Sequence, residues 1–140
     1  MKQIIKINMK NSLLITKYIR TILSQDADLM KKISIKQFFP VDAKLSTKFP
    51  FAVIIRTGIN DNLSKDGIYE DVVNILIYVV DDNYINSIEI ANEIRNWLEG
   101  HIYKDDYINI KRIRLNSSSE GLENNAFIQE LSFNVYIQNL

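Results

Sequence analysis

The stretch Glu70–Gly100, EDVVNILIYVVDDNYINSIEIANEIRNWLEG, decides the fold of this chain. Its segment Val72–Val80 carries β-branched and aromatic residues at both alternating sets of positions, which predicts a central strand covered on both sides. From Tyr84 to Leu98, apolar residues recur at three- and four-residue spacing, which predicts an amphipathic helix. Asp82 or Asn83 is suited to cap this helix, and the glycine that closes the stretch is the residue type that most often ends one. We therefore expect a strand and a helix that pack as one unit.

The bulk composition is that of one globular domain, and we expect residues 1–140 to form it. Apolar residues make up 46% of the chain and charged residues 24%, which argues against disorder. No apolar run approaches the roughly 20 residues of a transmembrane helix, so no membrane contact is expected. Lys6 and Lys10 interrupt the apolar N-terminal residues, so a signal peptide is not expected. The absence of cysteine excludes disulfides, thiolate zinc sites and cysteine nucleophiles.

The zero net charge hides an asymmetry along the chain. Residues 1–56 hold 11 Lys and Arg against 3 Asp and Glu, whereas residues 57–140 hold 6 against 14. The two parts thus carry opposite formal charges of about eight. Such a division favours either head-to-tail stacking of copies or the handling of a polyanion, unless the two sets mingle on the folded surface.

The remaining elements predict an α+β fold. An apolar stripe from Leu14 to Leu23 indicates a helix, and Asp26–Ile33 a further short turn of helix. Three other segments have the composition of strands, and a fourth is expected to be extended: Phe51–Arg56, Tyr107–Leu115, Phe127–Gln138 and Ser34–Phe39. We expect a mostly antiparallel sheet of about four to five strands with two main helices packed on one face.

Two polar segments are expected to be long loops. Gly58–Gly67 is bounded by glycines and exceeds the length of a tight hairpin turn, and Asn116–Asn125 is similarly polar. Long loops in compact domains often contact a partner.

Few residues indicate catalytic or metal chemistry. Asp81 and Asp82 end the central strand, where α/β enzymes place metal-binding carboxylates, but they also stand where a helix favours acidic residues. His101 follows a helix end, where a solvated position is the simpler interpretation. A metal-dependent hydrolase built on these three residues remains the weakest hypothesis, and no catalytic residue, metal or cofactor is expected. Tyr84 and Trp97 are most simply core residues.

Lys111, Arg112 and Arg114 form a basic strand next to Tyr107. Nucleic-acid-binding proteins combine basic and aromatic residues in this way. The alternative function is therefore a small nucleic-acid- or ligand-binding module, although a solvated strand face also explains the pattern.

The order of elements resembles that of the tail-terminator and tail-completion (head-to-tail joining) proteins of tailed bacteriophages. The resemblance covers nearly the whole chain and rests on a degenerate pattern rather than an invariant motif. A leading helix is followed by Phe39-Pro40, then by Phe49-Pro50 at the start of a strand and by a glycine-bounded loop. The long strand ends in Tyr78-Val79-Val80-Asp81-Asp82, a helix follows, and two strands close the chain up to Gln138.

This resemblance implies a non-enzymatic virion protein, assembled in the bacterial host cytoplasm. It would form a ring, hexameric or dodecameric, at the head–tail junction or tail end. The ring would contact the connector or adaptor and the tail-tube proteins, and would surround a channel through which DNA passes without sequence-specific binding.

The resemblance also suggests which residues make contacts. Apolar residues on the second face of the sheet would meet a neighbouring subunit, namely Leu76, Tyr78, Ile128 and Tyr136. Residues of the first polar segment would contact a neighbouring ring, namely Asp61, Asn62, Leu63, Lys65 and Asp66. Carboxylates facing the channel would repel DNA phosphates, with Asp61, Asp66, Glu120 and Glu123 as candidates.

Overall fold

The computed structural model of the protein describes residues 10–44, 47–63 and 69–138, with the backbone alone for residues 61–63 and 69. These residues contain three α-helices: α1 (Ile15–Ser24), α2 (Ala27–Lys32) and α3 (Tyr84–Leu98). They also contain six strands: β1 (Phe38–Pro40), β2 (Phe51–Leu63), β3 (Tyr69–Asp81), β4 (Tyr103–Lys104), β5 (Asn109–Glu123) and β6 (Ala126–Gln138). Short 3₁₀ turns precede α1 and β1.

The strands form one mixed sheet in the order β1-β2-β3-β6-β5-β4. β1 runs parallel to β2, and the other neighbouring strands are antiparallel. The expectation of a mostly antiparallel sheet of about four to five strands is therefore wrong, because the sheet has six strands and is mixed, with β1 parallel to β2. The two extra strands are edge strands of three and two residues, too short for an alternating pattern to reveal.

The helices cover one face of the sheet. On β3 the side chains of Val73, Ile75, Ile77 and Val79 are fully buried in the core, while the residues between them are only half-buried. The expectation that β3 is covered on both sides is wrong, because apolar residues at both alternating sets do not distinguish a covered second face from a partly solvated one. None of the helices in the described ranges is long and apolar enough to cross a membrane.

The ends of α3 confirm the capping prediction. The side-chain oxygen of Asn83 accepts a hydrogen bond of 2.9 Å from the backbone N–H of Asn86. Gly100 has φ +82°, a left-handed conformation that glycine adopts without strain. The prediction that Tyr84 is a core residue is wrong, since its side chain is 39% exposed.

The segment Asn116–Asn125 is not a long loop. β5 continues to Glu123 and pairs with β6, and the two strands are joined by the two-residue turn Asn124–Asn125, both of positive φ. The strand lacks an apolar alternation because most of its side chains from residue 116 onward are exposed on both faces. Similarly, β2 extends through residues 58–63 of the first polar segment, and the rest of that segment up to residue 68 lies outside the described residues.

Candidate functional site

The face of the sheet opposite the helices, the open face, carries the four predicted subunit contacts. Leu76 and Tyr78 on β3 and Ile128 and Tyr136 on β6 all point to it, because each lies at a position that alternates with the buried core residues. All four side chains are half-buried. The structure thus places together residues that the sequence separates by up to 60 positions.

One end of the open face is aromatic and apolar. Phe51 stacks on Phe49 with ring centroids 5.9 Å apart and contacts Phe39 edge-on at 6.4 Å. Phe49 remains 44% exposed. A cavity of about 450 Å³ continues from this cluster towards Tyr78 and Ile128. This end of the face therefore offers apolar surface with a recess in it.

The other end of the open face is polar and basic. Arg112 lies opposite Tyr136, with its guanidinium carbon 4.0 Å from the ring centroid, a cation–π contact. Arg114 lies opposite Asn134 on the same face. The predicted basic strand therefore contributes two of its cations to one surface, while Lys111 lies at the bulge between residues 110 and 112.

Glu120 joins the β5–β6 hairpin to the start of α3. Its carboxylate accepts hydrogen bonds from the hydroxyl of Tyr84 at 2.9 Å and from Nε2 of Gln129 at 3.1 Å. The same amide lies 3.3 Å from Oγ of Ser87, a buried residue of α3. The hydrogen bond to the carboxylate raises the pKa of the Tyr84 hydroxyl. Glu120, a predicted channel carboxylate, thus holds the hairpin against the helix.

The end of the hairpin beyond Glu120 projects into solvent. Leu122 is 64% exposed, although it is a large apolar residue, and its neighbour Glu123 is also exposed. We call residues 120–126 the β5–β6 tip. It combines an apolar side chain with carboxylates on both sides.

The two polar segments lie at opposite ends of the sheet. Asp61 pairs with Asp71 at the beginning of β3, while Phe127, next to the β5–β6 tip, pairs with Asp81 at its end. Ten residues of extended strand separate these ends by about 33 Å. Asn62 and Leu63 continue β2 at the first end. Lys65 and Asp66 lie outside the described residues.

The three residues of the hydrolase hypothesis are not brought together. Asp81 is buried and accepts a hydrogen bond of 2.5 Å from the side chain of Asn86. His101 lies at the far end of α3, where Nδ1 is 3.2 Å from the carbonyl oxygen of Trp97. Asp82 is exposed. Among the described residues, no group of three or more acidic or histidine side chains is placed to hold a metal ion.

A groove that the sequence did not predict lies between α1 and the edge strand β1. Its volume is about 570 Å³. Phe38, Phe39 and Ile54 supply its apolar surface, and the exposed residues Lys17 and Arg20 line it from α1. We call it the α1–β1 groove. The apolar stripe of α1 is buried from Ile15 to Leu23, but its predicted first member, Leu14, is 47% exposed. Only the tertiary structure brings the exposed cations of α1 beside an apolar strand edge.

Comparison with known proteins gives a similarity of fold but no match of sequence. No protein-family model matches the chain, and no curated protein matches its sequence. The fold, however, is similar to that of a chain in the solved structure of the virion of a native gene transfer agent particle. The two chains superpose with a TM-score of 0.74 at 12% identity, over 86% of this chain and 91% of the other. At this identity the similarity establishes a shared fold.

Proposed function

We propose that the protein is a non-enzymatic structural subunit of a phage-type virion, forming a ring around the DNA channel at the head–tail junction or tail end. The observation that carries this proposal is the fold shared with a chain of a gene transfer agent virion, which extends over nearly the full length of both chains. The order of elements in the sequence, which resembles that of tail-terminator and tail-completion proteins, supports the same role independently.

The open face supports contact with other proteins. A strand face bearing Leu76, Tyr78 and Ile128 beside an aromatic cluster is more apolar than a solvated face requires. In a ring of identical subunits, two different surfaces of each copy meet, so that no surface needs to be self-complementary. A hexameric ring is the expected assembly.

The placement of the two polar ends supports contacts along the tail axis. Because the β2–β3 end and the β5–β6 tip lie about 33 Å apart along β3, one subunit can contact different neighbours at its two ends. We propose the connector or adaptor and the tail-tube protein as these neighbours. Of the candidate channel carboxylates in the described residues, Glu120 is occupied by hydrogen bonds, which leaves Glu123 and also Asp61, of which the backbone alone is described.

Electron microscopy of particles assembled without the protein tests this role. We expect heads and tails that fail to join, or tails of irregular length, with normal particles restored when the wild-type protein is supplied. Correctly terminated and joined tails in its absence would exclude the proposal. Native mass spectrometry of the purified protein then gives the number of subunits in the ring.

The second candidate function is nucleic-acid binding by the basic end of the open face. It is favoured by the proximity of Arg112, Arg114 and Tyr136 on one surface. It predicts salt-sensitive DNA or RNA binding by the isolated monomer, abolished in the double variant Lys111→Glu with Arg114→Glu. A monomer that does not bind nucleic acid at low salt would eliminate this candidate.

A further inference from the structure

We infer that the β5–β6 tip of one copy inserts into the α1–β1 groove of the next copy, with Leu122 against the apolar surface and Glu123 beside Lys17 and Arg20. This inference rests on the proposed function, because it names the surfaces through which the ring would close.

The groove fits an apolar side chain accompanied by a negative charge. Phe38 and Ile54 form its floor and are almost fully buried, so the apolar surface that a partner can contact comes mainly from Phe39 and Pro40 of the edge strand. Arg20 donates a hydrogen bond of 3.0 Å to the carbonyl oxygen of Ile35, which holds its guanidinium in place and leaves further N–H groups of its five for another acceptor. Lys17 adds a second cation one helical turn away.

The β5–β6 tip has the complementary chemistry. Leu122 is among the most exposed large apolar side chains of the described residues, at 64%, and Glu123 follows it directly. The hydrogen bonds from Tyr84 and Gln129 to Glu120 hold the tip in place, which lowers the conformational entropy that docking would cost. Because consecutive residues of a strand point to opposite faces, the tip presents Leu122 to one wall of the groove and Glu123 to the other.

The charge division along the chain agrees with this pairing. All residues of the groove named above lie in residues 1–56, the part with an excess of eight positive charges, since 11 minus 3 is 8. The tip lies in residues 57–140, where 14 acidic residues exceed 6 basic residues by eight. On the two surfaces themselves, Glu123 of one copy and Lys17 with Arg20 of another carry opposite charges, which favours encounter in this orientation.

The tip cannot reach the groove of its own chain. Within one chain the two surfaces lie on different faces of the sheet, because Glu123 and Asn124 line the recess of the open face with Val41 and Asp42, whereas Lys17 and Arg20 line the groove from α1 on the helix side. Leu122 pairs with Phe127, whose ring is 5.1 Å from that of Tyr84, so Leu122 itself lies near the start of α3. A second copy is therefore the occupant, and the contact is heterologous and can close into a ring.

Cysteine cross-linking tests the contact directly, because the chain contains no cysteine. The double variant Leu122→Cys with Thr21→Cys places one thiol on the tip and one in the groove. We expect oxidation to give a ladder of covalently linked copies, which requires Cα atoms within about 7 Å. The matched control is Ile102→Cys with Thr21→Cys, since Ile102 is 71% exposed beside the opposite edge strand. The same ladder in the control, or no ladder in the test variant, overturns the inference.

A charge exchange separates the contact from a folding defect. We expect Glu123→Lys or Lys17→Glu alone to weaken self-association about tenfold, and the double variant to regain most of it. No recovery in the double variant would contradict the pairing. Rings seen by microscopy without the cross-linked ladder would overturn this inference and leave the proposed function intact. A protein that stays monomeric both in solution at its highest soluble concentration and in the particle would overturn both.

Discussion

The hydroxyl of Tyr84, in the first turn of α3, donates a hydrogen bond of 2.9 Å to the carboxylate of Glu120 on β5, 36 residues later. The ring of Tyr84 also contacts Phe127 on β6, with centroids 5.1 Å apart. These two contacts hold an otherwise exposed hairpin to the body of the domain. The projecting tip thus has a fixed position from which it can contact a partner.

The first prediction concerns the variant Tyr84→Phe. This change keeps the ring contact with Phe127 and removes only the hydrogen bond to Glu120, so the β5–β6 tip should open more often while the core remains unaffected. We expect faster amide hydrogen exchange in residues 117–123, with the global unfolding midpoint nearly unchanged. The control is Tyr136→Phe on the open face, which should leave this exchange as it is in the wild type.

Titration of the Tyr84 hydroxyl tests the same hydrogen bond to Glu120. Because the bond to Glu120 raises the pKa of the Tyr84 hydroxyl, Glu120→Gln should lower that pKa towards the ordinary value of a tyrosine. Absorbance of tyrosinate against pH measures the change. An unaltered titration of Tyr84 in this variant would show that the bond is absent in solution.

The second prediction concerns Ser12, which attaches the start of the first helix to the sheet. Its Oγ donates a hydrogen bond of 2.6 Å to Oδ2 of Asp71, and both residues are almost fully buried. In Ser12→Ala the carboxylate loses this donor without gaining water, so we expect a loss of about 1–3 kcal/mol in the free energy of unfolding by urea. Ser24→Ala, at an exposed site on α1, is the control and should have little effect. Equal midpoints for the two variants would contradict the prediction.

The third prediction compares two glycines. Gly100 has φ +82° and no heavy atom within 4 Å of an added Cβ, so Gly100→Ala should cost about 1–2 kcal/mol from backbone strain alone. Gly121 likewise has no atom near an added Cβ but does not have a positive φ. Gly121→Ala should therefore leave the free energy of unfolding nearly unchanged. Similar losses in both variants would exclude backbone conformation as the cause.

The parts of the fold that the sequence predicted are those in which burial is periodic. Val72–Val80 and Tyr84–Leu98 each bury one face against the core, so their apolar residues recur with the period of a strand and of a helix. Residues 116–123 form a strand just as regular, but with both faces mostly in solvent it has no such period. The structure of residues 116–123 is determined by backbone hydrogen bonding to β6, which does not depend on an apolar pattern of side chains.

The candidate site was predictable in part for the same reason. The alternation of β3 and β6 correctly placed Leu76 and Tyr136 on one face, because strand geometry fixes that relation. The α1–β1 groove was not predictable, since Arg20 comes beside Ile54 only through the packing of α1 on β2, and β1 completes the groove by pairing with β2. The role of Glu120 likewise depends on a tyrosine 36 residues away, which no local pattern indicates.

The fourth prediction concerns Glu93 on α3, which faces Asp26, the N-cap of α2. Oδ1 of Asp26 accepts hydrogen bonds from the backbone N–H groups of Asp28 and Leu29, whereas Oδ2 is buried and has no N–H donor. Glu93 can donate a hydrogen bond to this carboxyl when it is protonated. The hydrogen bond to Asp26, burial and the negative charges of Asp26 and Asp28 raise the pKa of Glu93, while Lys32 opposes the shift.

The sign of the pH dependence follows from the raised pKa. A carboxyl that binds its proton more tightly in the folded state stabilises the fold at low pH, and this contribution is lost as the pH rises through the folded pKa of Glu93. In Glu93→Gln the amide donates at every pH, so we expect a gain below about 1 kcal/mol at neutral pH, limited by the partial solvation of the site. The gain should shrink at acidic pH in urea unfolding measured across the range. Glu89→Gln, on the exposed side of α3, is the control. An equal gain in the control would point to a change in net charge instead of the contact with Asp26.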